Sequence, residues 1–179
     1  VEPYSYRKQI NSIYGAVNLG WKHMLYFDAT LRGDQSSTLP ISNNMYIYPS
    51  FSGSFVFSEL LKLGDKLPYG KVRMSWAQVG SDTDPYQLGL VYTKAKFAYP
   101  GYTIGYISNG TIPNKDLKPT KTNSFEMGLE LKFLKNRIGL DFTYYSQLSK
   151  NQIMGMASSS TSGYGYRLIN AGEIENKGV

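Results

Sequence analysis

The chain of 179 residues contains no cysteine and a single histidine, His23. The lack of cysteine excludes disulfide frameworks, thiolate metal sites and cysteine nucleophiles. A lone histidine, without a second histidine or a cysteine, anchors neither a conventional metal site nor a Ser-His-Asp triad. We therefore predict that the chain is not an enzyme, that it holds no metal and no cofactor, and that His23 is a turn residue.

Long apolar runs and clusters of like charge are also missing. No stretch reaches the roughly 18 consecutive apolar residues that mark a membrane helix, although 41% of the residues are hydrophobic. The net charge of +6 comes from 19 lysine and arginine residues that are dispersed along the chain. Because nucleic-acid binding needs a basic stripe or patch, we predict no nucleic-acid partner.

Acidic residues occur in pairs that invite two chemical interpretations. Asp82 and Asp84 lie in GSDTDPY, but the spacing lacks the other ligands of a calcium loop, so we expect loop capping instead. Glu126, Glu130 and Asp141 suggest a glycosidase pair, yet charged side chains also line the wet interior of a large barrel. We favour the structural interpretation, in which Lys132 and Arg137 pair with these carboxylates.

The strongest positive signal is strict alternation of apolar and polar residues over 122–148. Successive side chains of a strand point to opposite faces, so two strands here present one apolar and one polar face each. The apolar positions are Phe125, Met127, Leu129, Leu131 and Phe133, then Ile138, Leu140, Phe142 and Tyr144. About ten residues per strand is the length that a tilted strand needs to cross a bilayer.

The same alternation predicts six strands, near 11–19, 24–34, 46–57, 71–79, 122–133 and 137–148. Short turns at 20–22 and 134–136 and a middling link between the third and fourth strands alternate with long polar connections near 34–45, 80–121 and 149–173. Transmembrane barrels sort short periplasmic turns from long extracellular loops in this way. Weaker strand patterns at 88–97 and 102–108 predict a hairpin above the membrane.

Six strands are too few for a closed barrel. An open edge leaves backbone N–H and C=O groups unpaired in hydrocarbon, and known barrels have at least eight strands. We therefore predict an all-β, antiparallel barrel segment with neighbouring strands on both sides. The final INAGEIENKGV begins another strand pattern, and we interpret both ends as cut.

Four segments, in this order, resemble the SusC/RagA group of TonB-dependent outer-membrane transporters. They are FSGSFVFSELL at 51–61, VRMSWAQVGSDTDPY at 72–86, NKDLKPTKTNSFEMGLELKFLKNRIGLDFTYY at 114–145 and INAGEIENKGV at 169–179. The family pattern is similar to NPDLKPE, whereas this chain has Lys115 and Thr120 in place of the proline and the glutamate. That departure leaves the subfamily open.

The resemblance implies a segment, toward the C-terminal part, of a 22-stranded barrel in the Gram-negative outer membrane. Such a barrel is closed by an N-terminal plug, imports oligosaccharides or peptides, receives energy from a TonB complex and works with a SusD-like surface lipoprotein. No plug domain is present in this sequence, so active transport and contact with TonB are implied for the parent protein only.

Aromatic residues of the long connection are the candidate contacts for cargo or a partner, because aromatic rings suit stacking on sugars and packing against proteins. They are Tyr92, Phe97, Tyr99, Tyr102 and Tyr106. Packing within the loop is the alternative role. The alternative function is a surface-exposed or soluble all-β adhesion module, in which the apolar faces form a sandwich core; outer-membrane lipid contacts those faces in the transporter interpretation.

Overall fold

The computed structural model describes residues 5–61, 67–90, 92–95, 100–107 and 110–179. Within these ranges the chain is nearly all-β, with one short α-helix, α1 (Phe57–Leu61), and 3-10 turns at Ile41–Asn43 and Ser160–Ser162. No helix in the described part of the chain has both the length and the hydropathy needed to cross a membrane. The strands are β1 (Ile10–Trp21), β2 (Leu25–Ser36), β3 (Met45–Val56), β4 (Tyr69–Ser81), β5 (Tyr92–Lys94), β6 (Gly105–Ile107), β7 (Thr111–Ile112), β8 (Thr120–Phe133), β9 (Ile138–Lys150), β10 (Ile153–Ala157), β11 (Tyr166–Asn170) and β12 (Glu173–Gly178).

One antiparallel sheet of seven strands, in the order β1-β2-β3-β4-β8-β9-β12, dominates the structure. The six strands predicted from alternation overlap its first six members, and the strand pattern at the end of the chain becomes the seventh, β12. The prediction that Phe57 ends the third strand was wrong, because Phe57 is the first residue of α1. We call the two ends of this sheet the short-turn end and the long-loop end.

Two tight turns at the short-turn end use residues other than glycine in the left-handed region. Lys22 and His23 have φ values of 49° and 55°, and Leu134, Lys135 and Asn136 have values of 50° to 65°. His23 is therefore a turn residue, as predicted. The turn predicted at 20–22 lies later, because Gly20 and Trp21 still pair with Tyr26 and Leu25.

Proline shapes the middle of the sheet. Pro49 lies inside β3 and pairs with Leu31 of β2, whereas the ladder to β4 begins only at Ser50. Proline has no N–H to donate, so one side of the strand loses its ladder there. The β3–β4 ladder consequently has seven residue pairs, from Ser50↔Ala77 to Val56↔Lys71, and the two strands separate toward the long-loop end.

The long connections form two smaller sheets. β5 and β6 pair antiparallel, Tyr92 with Ile107 and Lys94 with Gly105, as a hairpin within the segments predicted at 88–97 and 102–108, of which residues 91, 96–97 and 108 lie outside the described residues. β10 pairs with β11, and β11 pairs in parallel with the distant β7. The connection predicted as a polar loop at 149–173 therefore contains two strands.

Candidate functional site

The polar face of the seven-stranded sheet is held by hydrogen bonds between side chains on neighbouring strands. The Asp28 carboxylate accepts hydrogen bonds from Asn18 Nδ2 at 2.5 Å and Ser52 Oγ at 3.0 Å. Thr30 shares a hydrogen bond of 2.5 Å with the Ser50 hydroxyl. These five strand positions alternate with apolar ones, so the sequence pattern alone places them on this face. The polar face of the sheet therefore presents hydroxyl and carboxylate groups that can form hydrogen bonds.

Arg73 crosses an entire strand on this face. From β4 its Nη2 reaches over β8 to donate to Asp141 Oδ1 at 2.8 Å and to Thr143 Oγ1 at 2.7 Å on β9. The path runs over Gly128, where a Cβ atom would overlap the Arg73 side chain. Gly128 is therefore required by this close approach, and Arg73 links three strands.

The prediction that Lys132 pairs with one of the carboxylates was correct, but the cation that binds Asp141 was not predicted. Lys132 Nζ lies 3.8 Å from Glu130 Oε1, whereas Asp141 is bound by Arg73, which the sequence analysis did not pair with any acid. Glu130 and Asp141 are direct cross-strand neighbours, an arrangement that repels unless cations sit nearby. Within the described residues Arg137 lies in the turn after β8 and forms no ion pair.

A cleft of about 260 Å³ opens on the polar face beside Arg73. It combines both signs of charge with hydroxyls, so it can bind a polar, hydrogen-bonding solute. Its polar lining residues are Asp28, Ser52, Ser54, Lys71, Arg73, Ser75 and Glu126.

The opposite face is apolar from strand to strand. Phe125 pairs with Trp76 and Leu129 with Phe142, and the rings of Phe51 and Trp76 stack with centroids 6.0 Å apart. Five outward positions of β8, from Phe125 to Phe133, span about 27 Å along the strand, or about 20 Å at a tilt near 40°. That approaches the height of a barrel's apolar band. No second layer covers this face in the described structure, since Leu140 and Phe142 are 52% and 51% exposed.

A buried carboxylate ties the strands together at the long-loop end. Asp82, just after β4, accepts hydrogen bonds from Lys8 Nζ at 2.6 Å, Ser36 Oγ at 2.5 Å and Thr38 Oγ1 at 3.2 Å. Burial raises the pKa of Asp82, but the hydrogen bonds from Lys8 and Ser36 outweigh it, and the pKa lies below its ordinary value. The capping role predicted for Asp82 agrees with these contacts, which occupy both of its oxygens.

The aromatic residues predicted as contacts for cargo or a partner do not form one cluster among the described residues. Tyr92 and Tyr106 fall on opposite faces of the β5–β6 hairpin, because Tyr92 pairs with Ile107 and Tyr106 pairs with Thr93. Tyr92, Tyr102 and Tyr106 are 67%, 71% and 54% exposed. Phe97 and Tyr99 lie outside the described residues. A role of these aromatics in binding stays a prediction.

An asparagine that the sequence analysis did not single out joins two of the four segments on which the resemblance rests. Asn170, at the end of β11, accepts a hydrogen bond from Lys118 N at 2.8 Å and donates through Nδ2 to Lys118 O at 2.7 Å. The same Nδ2 lies 3.1 Å from Asn151 O. Next to this clamp, Leu117 is fully buried. The two motifs, NKDLKP and INAG, therefore form one structural unit.

Comparison with known proteins gives a consistent result. The family described as TonB dependent receptor-like, beta-barrel matches residues 2–179. TonB-dependent receptor P26 of Formosa agariphila is 26% identical over 95% of this chain, and TonB-dependent receptor SusC of Bacteroides thetaiotaomicron is 26% identical over 98% of it. The chain spans 18% of the length of each of these relatives.

Solved structures show the same fold. The RagAB peptide transporter superposes with a TM-score of 0.86 at 23% identity, over 96% of this chain and 19% of the matched chain. The siderophore receptor PirA from Pseudomonas aeruginosa superposes with a TM-score of 0.64 at 19% identity, over 96% of this chain and 30% of the matched one. Seven adjacent strands of this kind therefore occur within larger proteins of known structure.

Proposed function

Because this chain belongs to the TonB-dependent receptor-like β-barrel family, a family of outer-membrane transporters and receptors, we propose that it forms part of the wall of a nutrient importer. The observation that carries the proposal is the two-faced sheet. One face is apolar over about 20 Å of its height, and the other is lined with hydroxyls, carboxylates and the Arg73–Asp141 bridge. The family places the chain in the Gram-negative outer membrane.

We propose that further strands close the sheet into a barrel of 22 strands. Within the described residues β1 pairs with β2 only, and β12 pairs with β9 only. Each unpaired edge would leave backbone groups without partners in hydrocarbon, at several kcal/mol per group. In this arrangement the turns at 22–24 and 134–137 face the periplasm, and the connections at 82–119 and 151–172 face the outside.

Oligosaccharides or peptides are the proposed cargo. The polar face suits both, because its hydroxyls, carboxylates and guanidinium can exchange hydrogen bonds with sugar hydroxyls or peptide groups. One structural neighbour is named a peptide transporter, which supports the peptide class. The cleft around Arg73 and Glu126 lies on the proposed route.

We further propose two protein partners for the complete importer. A SusD-like surface lipoprotein would cover the long-loop end, where exposed Tyr92, Tyr102 and Tyr106 are the candidate contacts for it or for cargo. A TonB complex would supply energy through parts of the parent protein outside this sequence. The likeness to SusC and to the RagAB transporter supports both proposals.

An uptake experiment tests the proposed function. Cells of the source organism that lack the gene are compared with complemented cells for uptake of labelled peptides and labelled oligosaccharides, each with and without a protonophore. We expect the deletion to abolish uptake of one cargo class, and the protonophore to abolish it in complemented cells. Unchanged uptake of both classes in the deletion strain would contradict the proposal.

The alternative of a soluble adhesion module finds no support in the geometry. A sandwich requires a second sheet over the apolar face, whereas Leu31, Leu140 and Phe142 are each about half exposed in the described structure. Because the family consists of outer-membrane barrels, we expect lipid to cover this face.

A further inference from the structure

The short helix α1 joins β3 to β4 at the short-turn end and has two different faces. Phe57, Leu60 and Leu61 are spaced i, i+3 and i+4, so they share one side of the helical turn. Leu60 and Leu61 are 59% and 57% exposed. The two leucines are adjacent and lie at one end of the apolar face of the sheet, so they form a candidate contact surface.

The contact between α1 and β4 shows which way the apolar side faces. The ring of Phe57 lies against Gly70, where a Cβ atom would overlap it. Gly70 pairs directly with Leu131, and directly paired residues point to the same side of a sheet. Phe57 therefore lies on the apolar, lipid-facing side, and Leu60 and Leu61 extend that surface beyond the end of β4.

The other side of α1 is polar and belongs to the opposite face of the sheet. Glu59 lines an open cleft of about 550 Å³ together with His23, Tyr26 and Lys71. Tyr26 and Lys71 both lie at polar-face positions of β2 and β4. The helix thus repeats, in one turn, the division between the two faces of the sheet.

Lipid is the occupant that fits this surface. The leucines continue the apolar face that lipid covers in the proposed barrel wall, at its short-turn end. Trp21 lies at the same end of the same face and is 57% exposed, with Lys22 Nζ 4.7 Å from its ring centroid. An aromatic ring beside a lysine with its charge in the headgroup region is typical of a membrane boundary.

We propose that α1 is a membrane-interface anchor, in which Leu60 and Leu61 insert into the lipid leaflet at the short-turn end while Glu59 stays in water. The helix would thereby set the depth of the β3–β4 pair in the bilayer. This role is separate from import of any cargo, because it depends only on the apolar face and on α1.

Spin labels test the anchor directly, since this chain contains no cysteine of its own. Leu60→Cys, Leu61→Cys and Glu59→Cys variants of the natural protein are labelled with a nitroxide and reconstituted into phospholipid vesicles. Collisions with oxygen, which concentrates in hydrocarbon, are compared with collisions with a water-soluble nickel chelate. Phe142→Cys serves as the lipid-facing reference.

We expect the oxygen-to-nickel ratio at positions 60 and 61 to exceed that at position 59 severalfold and to approach the ratio at position 142. Nickel accessibility at 60 and 61 equal to that at 59 would place the helix in water and overturn the proposal. Protection of 60 and 61 from both reagents would indicate a protein contact and would overturn it as well. If one leucine variant fails to assemble, the other carries the same test.

Discussion

The seven-stranded sheet and the connections at its long-loop end differ in where their side chains are buried. In the sheet, large apolar residues such as Leu31 and Phe142 are 55% and 51% exposed, whereas in the connections Leu39 is 3% exposed and Leu117 is fully buried. The sheet relies on backbone ladders and on lipid that covers one face. The connections, which we propose lie outside the bilayer, instead bury some apolar residues, such as Leu39 and Leu117, within the protein itself.

The two regions also use polar contacts differently. In the sheet, the Arg73–Asp141 bridge lies on a wet face, and its side chains are 40% and 51% exposed. At the long-loop end, the Asp82 side chain is 10% exposed and accepts hydrogen bonds from Lys8, Ser36 and Thr38. Water competes with the first contact and much less with the second, so the second should contribute more to stability.

The largest effect should come from a charge on the apolar face, because that charge would have to enter lipid. The substitution also tests whether lipid covers this face of the sheet. Leu129 is the central of the five outward residues of β8, and an arginine at the bilayer midplane costs about 2 to 4 kcal/mol. We expect Leu129→Arg to reduce the amount of folded barrel in the outer membrane, measured by heat-modifiable mobility. Ser75→Arg, on the polar face opposite Glu126, is the matched control and should assemble normally; equal losses in both variants would contradict the assigned faces.

Removal of the Asp82 charge should have the next largest effect and should stay local to the long-loop end. Hydrogen bonds to a charged group contribute about 1.5 to 3 kcal/mol, and Asp82 receives three. We expect Asp82→Asn to speed hydrogen exchange at Thr38, whose N–H donates to Ser36 Oγ, and to leave the amides of β8 unchanged.

The same contact should depend on pH in a defined direction. The folded-state pKa of Asp82 is lowered, so its stabilisation is complete above the unfolded value of about 4 and disappears as the pH falls through the folded-state pKa. The protection factor of the Thr38 amide, which corrects for the slower intrinsic exchange in acid, should therefore fall in acid in the wild type, and this fall should be absent in Asp82→Asn. Asp84→Asn, in the same cleft, is the control that should keep it.

Loss of the Asn170 clamp should cost about 1 kcal/mol, the usual net contribution of a neutral hydrogen bond. Asn170→Ala removes both bonds to Lys118, whereas Asn170→Asp keeps the oxygen that accepts from Lys118 N. We expect faster exchange of the Lys118 amide in the alanine variant than in the aspartate variant. Identical exchange in the two would show that the acceptor atom contributes nothing.

The smallest effect should come from the strand-crossing bridge, because exposed ion pairs contribute about 0.2 to 1 kcal/mol. Gly128→Ala places a Cβ in the path of Arg73 and should displace it from Asp141. In the Arg73→Ala background the same substitution should have little effect, which a double-mutant cycle of urea unfolding measures. Additive losses would mean that Gly128 acts independently of Arg73.

Alternation predicted the spanning strands well because each has one face in lipid and one in water. The outward positions from Phe125 to Phe133 and from Ile138 to Tyr144 keep that rule, whereas Ser146, the β9 partner of Phe125, departs from it. Tight-turn positions were less accurate: nothing in Gly20–Lys22 shows that Trp21 still pairs with Leu25. The helix α1 was missed since five residues are too few for a helical period to be recognised.

The candidate site was predictable only in part. The polar positions of β8 and β9, including Glu130 and Asp141, could be assigned to one face. The pairing of Asp141 with Arg73, however, joins residues that are 68 positions apart in sequence. The parallel pairing of β7 with β11 and the bond between Lys118 and Asn170, 52 residues apart, are equally remote. Local sequence patterns carry no information on contacts between residues that are so far apart in sequence.

The sequence by itself determined the period of two, the two faces and the length of the spanning strands, because these depend on which side chain follows which along one strand. It also determined the likeness to the family through four ordered segments. Only the tertiary structure decided which cation pairs with Asp141, which hydroxyls surround Asp82, and that α1 turns Leu60 and Leu61 toward the apolar side. These contacts require strands distant in sequence to lie side by side, and the register between them is a property of the whole sheet.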